Sequence, residues 1–357
     1  MFGNKKRLNS IGVLSLSYIL ILLLLALTAT LWAPDNSRHA NRMQLSIHSK
    51  APGFSVLVYR PDTNTLPKSH WFFGVENPAE EIPVQTFEWV EEGRLYIWPY
   101  GSDEKQLILT DGPTDQATQQ QMTTDLFQQR SFPLGTDKYG RDLWSRLLFG
   151  SRVSLGIGFI AVFISLSLGI FIGGLAGYFG GLVDRVLVNL MNIVWSIPTL
   201  LLVLAISLAL GKGIFQVFIA VGLTMWVDVA RLVRGQVLSV KELTFVEAAQ
   251  TLGFSKFRIF SYHILPMLTG PLLVVAASNF ASAILIESGL SFLGIGAQPP
   301  IPTWGGMVKD HFRYLVLGQP HLALLPGVAI MSLVLAFMLL GNSLRDFFDT
   351  RLELPNT

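Results

Sequence analysis

The chain has 357 residues, enough for two or three ordinary domains, but 51% of them are hydrophobic and only 14% charged, too apolar for a soluble protein of this length. A net charge of +2 is too small to argue for nucleic acid, and the basic residues lie in short clusters beside apolar runs rather than in a stripe. With no cysteine, disulfides, thiol catalysis and cysteine-ligated metals are excluded, and membrane lipid is the expected solvent.

Residues 11–33 carry no charge and follow Lys5, Lys6 and Arg7. The run is about the ~20 residues that a spanning helix needs, with a basic flank on its N-terminal side. It exceeds the roughly 7–15 residues of a signal-peptide core and no A-x-A site follows, so an uncleaved first transmembrane helix is expected over residues 1–33. From 34 to 130 the texture changes, and 13 of the 24 acidic residues fall there. Phe54-Ser55-Val56-Leu57-Val58-Tyr59 and Thr86-Phe87-Glu88-Trp89-Val90 are strand-like, and Glu91-Glu92-Gly93 separates the latter from Leu95-Tyr96-Ile97-Trp98 as a turn separates paired strands. A β-rich, water-facing insert with at least one hairpin is expected, ending in a Gln- and Thr-rich helix or linker over 115–129.

Five further apolar runs, at about 153–177, 186–210, 214–233, 262–286 and 321–343, give a six-span all-α membrane core over 131–357 with both termini on one side. Connections on the N-terminal side carry Arg185, Arg231, Arg234, Lys241, Lys256, Arg258, Arg345 and Arg351; the opposite short connections carry only Lys212, Lys309 and Arg313. The positive-inside rule makes the N-terminal side cytoplasmic. Arg141, Arg146 and Arg152 sit outside, but they close a translocated segment of more than ~60 residues, where that rule has little force.

The longest cytoplasmic connection holds Glu247-Ala248-Ala249-Gln250-Thr251-Leu252-Gly253, followed by Ile264-Leu265-Pro266. Val246, Ala249, Gly253, Phe257 and Phe260 recur at helical spacing, so one face of a short amphipathic helix can enter a groove while Lys256 and Arg258 stay wet. Ala248, Ala249 and Gly253 allow close backbone approach, and Gly253 permits the positive φ that ends a helix. An ordinary interfacial helix is the plainer reading of the same periodicity.

This segment resembles the EAA loop of ABC importer permeases. Residues 133–150, Pro-Leu-Gly-Thr-Asp-Lys-Tyr-Gly-Arg-Asp-Leu-Trp-Ser-Arg-Leu-Leu-Phe-Gly, resemble the segment before the second helix in the oligopeptide, dipeptide and nickel permeases, in their C-type subunit. Ser196-Ile197-Pro198, Arg231-Leu232-Val233-Arg234-Gly235-Gln236 and Glu287-Ser288-Gly289-Leu290-Ser291 agree, so the resemblance covers about 131–350.

The resemblance implies a non-catalytic inner-membrane subunit whose Glu247, Ala248, Ala249, Leu252, Gly253, Phe257 and Arg258 couple to ATPases. It also implies a second homologous permease, two ABC ATPases holding ATP and Mg, and an extracytoplasmic binding protein. Peptide is the expected cargo; nickel, or a siderophore or antibiotic peptide, is the alternative.

In the second motif Gly135, Thr136, Asp137, Gly140, Arg141, Asp142 and Arg146 form a turn-rich marker. Asp137, Arg141, Asp142 and Arg146 are spaced to pair on a surface helix. Pro198 should kink its helix. Glu287 reads equally as functional or interfacial, and Asn279 as a bond between helices rather than to cargo. No metal site and no cofactor held by this chain are expected.

Residues 55–130 depart from the family, whose members join these parts by a shorter stretch. A phosphate loop is missing, since around Gly211-Lys212-Gly213 Ile206 replaces the first glycine. An ion-coupled secondary transporter would call for mid-bilayer ionisable residues and an internal repeat, and neither is evident.

Overall fold

The computed structural model describes residues 8–61, 69–72, 74–76, 78, 80–90, 93–110, 112–211 and 213–348. Lys5, Lys6, Arg7, the Glu91-Glu92 turn, Lys212 and Arg351 lie outside them. In chain order the elements are α1 (Ser10–Leu27), α2 (Ala29–Trp32), β1 (Phe54–Tyr59), β2 (Ser69–His70), β3 (Gly74–Val75), β4 (Ile82–Val90), β5 (Arg94–Pro99), β6 (Gln106–Leu109), α3 (Gln116–Leu126) and β7 (Phe127–Phe132). There follow α4 (Leu143–Phe179), α5 (Gly181–Trp195), α6 (Thr199–Leu210), α7 (Ile214–Thr224), α8 (Trp226–Lys241), α9 (Thr244–Thr251), α10 (Lys256–Ile259), α11 (Thr269–Leu293), α12 (Trp304–His311) and α13 (His321–Phe348).

Among the described residues, five stretches are long and apolar enough to cross a membrane: Ser10–Leu27, Leu143–Phe179, Ile214–Lys241, Lys256–Leu293 and His321–Phe348. The run expected as one kinked span over 186–210 is instead two helices, α5 and α6, bent by 90°. Counted as one span, that pair makes six. Proline explains the break: Pro198 has no N–H to donate and is itself extended at ψ 125°, so the ladder stops at Trp195 and restarts at Thr199.

Compact units divide the chain differently from the boundaries expected at 33 and 130. One comprises Met1–Leu23, Val153–Gln298 and Gly327–Thr357, the other Leu24–Arg152 and Pro299–Pro326.

In the first unit α4 meets α8 along a row of small residues. A Cβ on Gly173 would lie 2.3 Å from the carbonyl oxygen of Ala230, and one on Gly169 or Gly177 would strike Val229 or Val237. Four-residue spacing of glycine puts all three on one helical stripe and lets two backbones touch, the usual device where lipid supplies no hydrophobic drive. Beyond this seam Val229, Val233, Val237 and Val240 of α8 form one buried cluster with Val246, Ala249, Ile259, Ile264 and Leu268. Near the N-terminus, Gly12 lies against Ser343, whose hydroxyl donates to Asn9 Oδ1 at 2.5 Å.

The second unit holds a five-stranded antiparallel sheet in the order β6-β5-β4-β1-β7 and a separate β2-β3 pair. The expected β4-β5 hairpin is present, with Phe87 opposite Ile97. One face of the sheet packs Tyr59, Val84, Leu95, Ile97 and Phe127 with Leu126 of α3; the other gathers Ile47, Val56, Val58 and Phe132. The helix expected in the tail is α3, opened by Asp115, whose carboxylate accepts from the Thr118 amide at 2.9 Å. The tail is not a linker, however. Residues 127–132 form β7, paired with β1 along its whole length from Phe54 opposite Phe132 to Tyr59 opposite Phe127, because each Phe can bury against the sheet.

Candidate functional site

Residues 135–146 form a clasp rather than the expected surface helix. Gly135 and Gly140 adopt φ of +79° and +72°, so residues 136–142 turn back on themselves and the helix begins only at Leu143. A Cβ on Gly140 would sit 1.8 Å from the carbonyl oxygen of Gln44, and one on Gly135 would be 2.2 Å from that of Lys50. The turn therefore closes on residues 44–51. Thr136 Oγ1 donates to the Ile47 carbonyl at 2.5 Å and accepts from the Lys50 amide at 2.9 Å, and the Ser49 amide donates to the Asp137 carbonyl at 2.8 Å.

Asp137 is fully buried and organises the charge. Its carboxylate accepts from the amides of Tyr139 and Arg141 at 2.8 and 3.0 Å and from Arg141 Nε at 2.6 Å, while Arg146 Nε stands 3.6 Å away. The expected four-residue pairing thus occurs for Asp137 and Arg141, but in a turn. Asp142 does not pair with Arg146; it caps α4, accepting from the Ser145 amide at 3.0 Å. Burial raises the Asp142 carboxyl above its ordinary range, against the bonds from Ser145.

Beside the clasp, Lys138 bonds Asp310 at 3.1 Å. His311 is wholly buried, its Nδ1 2.8 Å from the Met307 carbonyl, and burial holds its pKa below the ordinary value. A second buried acid, Glu81, takes three guanidinium groups, from Arg42, Arg60 and Arg130. Its desolvation, which alone would raise the pKa, is outweighed by those cations, and the carboxyl sits below its ordinary value.

The segment expected to form a single amphipathic peg is two short helices. α9 ends at Thr251, Gly253 turns the chain at φ +76°, and α10 starts after Ser255, whose hydroxyl caps it by accepting from the Arg258 amide at 3.4 Å. The break splits the expected face. Val246 and Ala249 are buried in the α8 cluster, whereas Leu252 and Phe257 are 73% and 78% exposed. Glu247, Ala248, Lys256 and Arg258 are also exposed, and nothing lies within 4 Å of a Cβ built on Gly253. Within this chain, close approach at Gly253 is not used; the positive φ is.

α8, which carries the peg, also grips α5. Arg234 makes a two-pronged pair with Asp184, at 2.5 and 2.6 Å, and Arg231 stacks 4.3 Å from the Trp195 ring while donating to Asn192 Oδ1 at 2.9 Å. In the sequence these arginines stand out as family markers, whereas their partners Asp184, Asn192 and Trp195 do not. An acid and an indole flanking an apolar run were the available signal.

Of the residues singled out in the apolar runs as a possible pathway, Pro198 lies between α5 and α6, and Asn279 and Glu287 lie on α11. Pro198 is exposed at the break. Asn279 is buried with its amide 3.4 Å from Ser165 Oγ, and Glu287 is buried with Oε1 accepting from Ser291 at 2.6 Å.

The family model described as "Binding-protein-dependent transport system inner membrane component" matches residues 169–354. The chain belongs to that family. This permease is 39% identical over 220 residues to the glutathione transport system permease protein GsiD of Pectobacterium atrosepticum, an alignment covering 62% of this chain and 73% of that one. It is also 39% identical over 219 residues to the dipeptide transport system permease protein DppC of Alkalihalophilus pseudofirmus, covering 61% and 72%. Among solved structures, an inward-facing conformation of the MetNI methionine ABC transporter is similar over 57% of this permease and 97% of its own chain, with 18% identity and a TM-score of 0.46. The sheet of the insert lies outside the family match.

Proposed function

We propose that this permease is the C-type subunit of a peptide importer and that Leu252 and Phe257, exposed on either side of the Gly253 turn, are the knobs that enter a cleft on a partner ATPase. The exposure of those two side chains on a rooted element carries the reading: Val246, Ala249 and Ile259 fix the peg to α8 while the two large apolar groups have no cover. Leaving such groups in water is unfavourable by about 1.5–3 kcal/mol each, so a partner surface is the natural destination. Glu247, Ala248, Gly253 and Arg258, exposed beside them, complete the contact, while the expected Ala249 is turned inward to the base.

ATP and Mg belong to the ATPases. Their closure pushes the peg, α8 moves with it as a rigid body, and the Arg234–Asp184 pair carries that movement to the α5-α6 break at Pro198, a switch between two discrete states. A second homologous permease completes the pathway, and a binding protein delivers cargo from outside. Both termini are cytoplasmic in this reading. The relatives named for glutathione and dipeptides support a short peptide as cargo.

Reconstitution of the whole transporter from the neighbouring genes tests this. Proteoliposomes should take up labelled glutathione or dipeptide only with ATP. ATP-dependent uptake of free nickel without peptide would replace the cargo, and uptake driven by an ion gradient without ATPases would overturn the reading.

A further inference from the structure

The short β2-β3 pair carries Trp71 and Phe72 at its turn, and Trp71 is 76% exposed. The turn is nevertheless held in place. Thr30 Oγ1 donates to the Trp71 carbonyl, and Arg152 donates to the Phe72 carbonyl and to those of Ala26 and Leu27, the last carbonyls of α1. The same guanidinium lies 4.4 Å from the Phe72 ring and 4.8 Å from that of Phe149. One arginine thus satisfies the open end of the first apolar helix and ties the turn to it.

Depth follows from helix length. At 1.5 Å per residue α1 is about 27 Å long, close to the ~30 Å hydrocarbon layer, so residues just past Leu27 fall among the headgroups. There Trp32 is 57% exposed, and Leu24, Leu27 and Leu31, at helical spacing, are exposed in the stretch leading to it. Trp71, its indole bare, is thus tethered through its backbone carbonyl to the outer end of an exposed apolar stripe that already ends in an indole. Tryptophan is enriched at this level because its ring is apolar and its N–H polar.

We propose that Trp71, with Trp32, anchors the insert to the lipid headgroup layer, the occupant of this surface being the membrane itself. The insert is then seated on the bilayer by its β2-β3 turn, while its sheet stays in water.

The absence of cysteine makes the test direct. Nitroxide labels on Trp71→Cys, on His70→Cys, which keeps the indole, and on Glu104→Cys as the water control are placed in the full chain in lipid nanodiscs. Power-saturation spectroscopy then compares collision with oxygen, which concentrates in lipid, against collision with a water-soluble nickel chelate. The labels at 70 and 71 should favour oxygen, with the ratio reversed at 104. A nickel-dominated ratio at both 70 and 71, as at 104, overturns the proposal. So does low collision with both reagents that appears only when the second permease copurifies, which would make the surface a protein contact.

Discussion

The clasp at 135–146 and the peg at 244–260 are both glycine-turned segments, and they differ in where their strong groups are satisfied. In the clasp every element turns inward: Asp137 is surrounded by amides and guanidinium groups, and the carbonyl of Gln44 occupies the space a side chain at 140 would need. In the peg Val246, Ala249 and Ile259 are buried, Phe254 and Phe260 are partly covered, and space is open around Gly253. A buried ionic hub specifies a fold, whereas an uncovered apolar pair on a fixed base has value only in the presence of another chain.

The comparison breaks first at Asp137. Asp137→Ala should leave Arg141 and Arg146 buried without their shared anion and cost about 3–5 kcal/mol, seen as loss of monodisperse protein and a lowered Tm in detergent. Gly140→Val should come next, adding strain of about 1–3 kcal/mol at a positive φ to a clash with backbone, while Gly140→Ala should lie between it and wild type on the same measurement. On the peg, Phe257→Ala should move Tm by less than about 0.5 kcal/mol equivalent, since an exposed side chain is removed, yet lower ATPase co-purification.

Acidification gives the smallest effect and still separates two groups. His311 binds its proton less readily folded than unfolded, so its contribution is present above about pH 6.5 and is lost as pH falls below that. Glu81, whose folded pKa is depressed, stabilises above the unfolded value of about 4.3 and loses that contribution as pH falls through its folded value. His311→Asn should therefore flatten the Tm profile between pH 7 and 5 and leave the loss below about pH 4.3, which Glu81→Gln should remove.

Much of this was legible in the sequence, to different depths. The long apolar helices, the β4-β5 hairpin and a polar insert follow from runs and alternation, which are local signals. The 133–150 block was legible as a marker but not as a clasp, because the chain it closes on, residues 44–51, lies far upstream and resembles the family only faintly. Strand β7 was missed because Gln128, Gln129 and Arg130 read as linker, and only pairing with β1 supplies the buried flanks at Phe127 and Phe132. The split of the peg was hidden by a valid helical period that Gly253 interrupts, and Pro198 gave a kink where its lost donor and its own extended backbone produce a right-angle break.

Coupling to the ATPases rests on the exposed pair. In the reconstituted transporter, Leu252→Ser with Phe257→Ser should leave the Tm of the isolated permease at its wild-type value and abolish both ATPase co-purification and ATP-driven peptide uptake. Wild-type uptake with ATPases still bound would contradict it, because the peg would then not be the coupling contact.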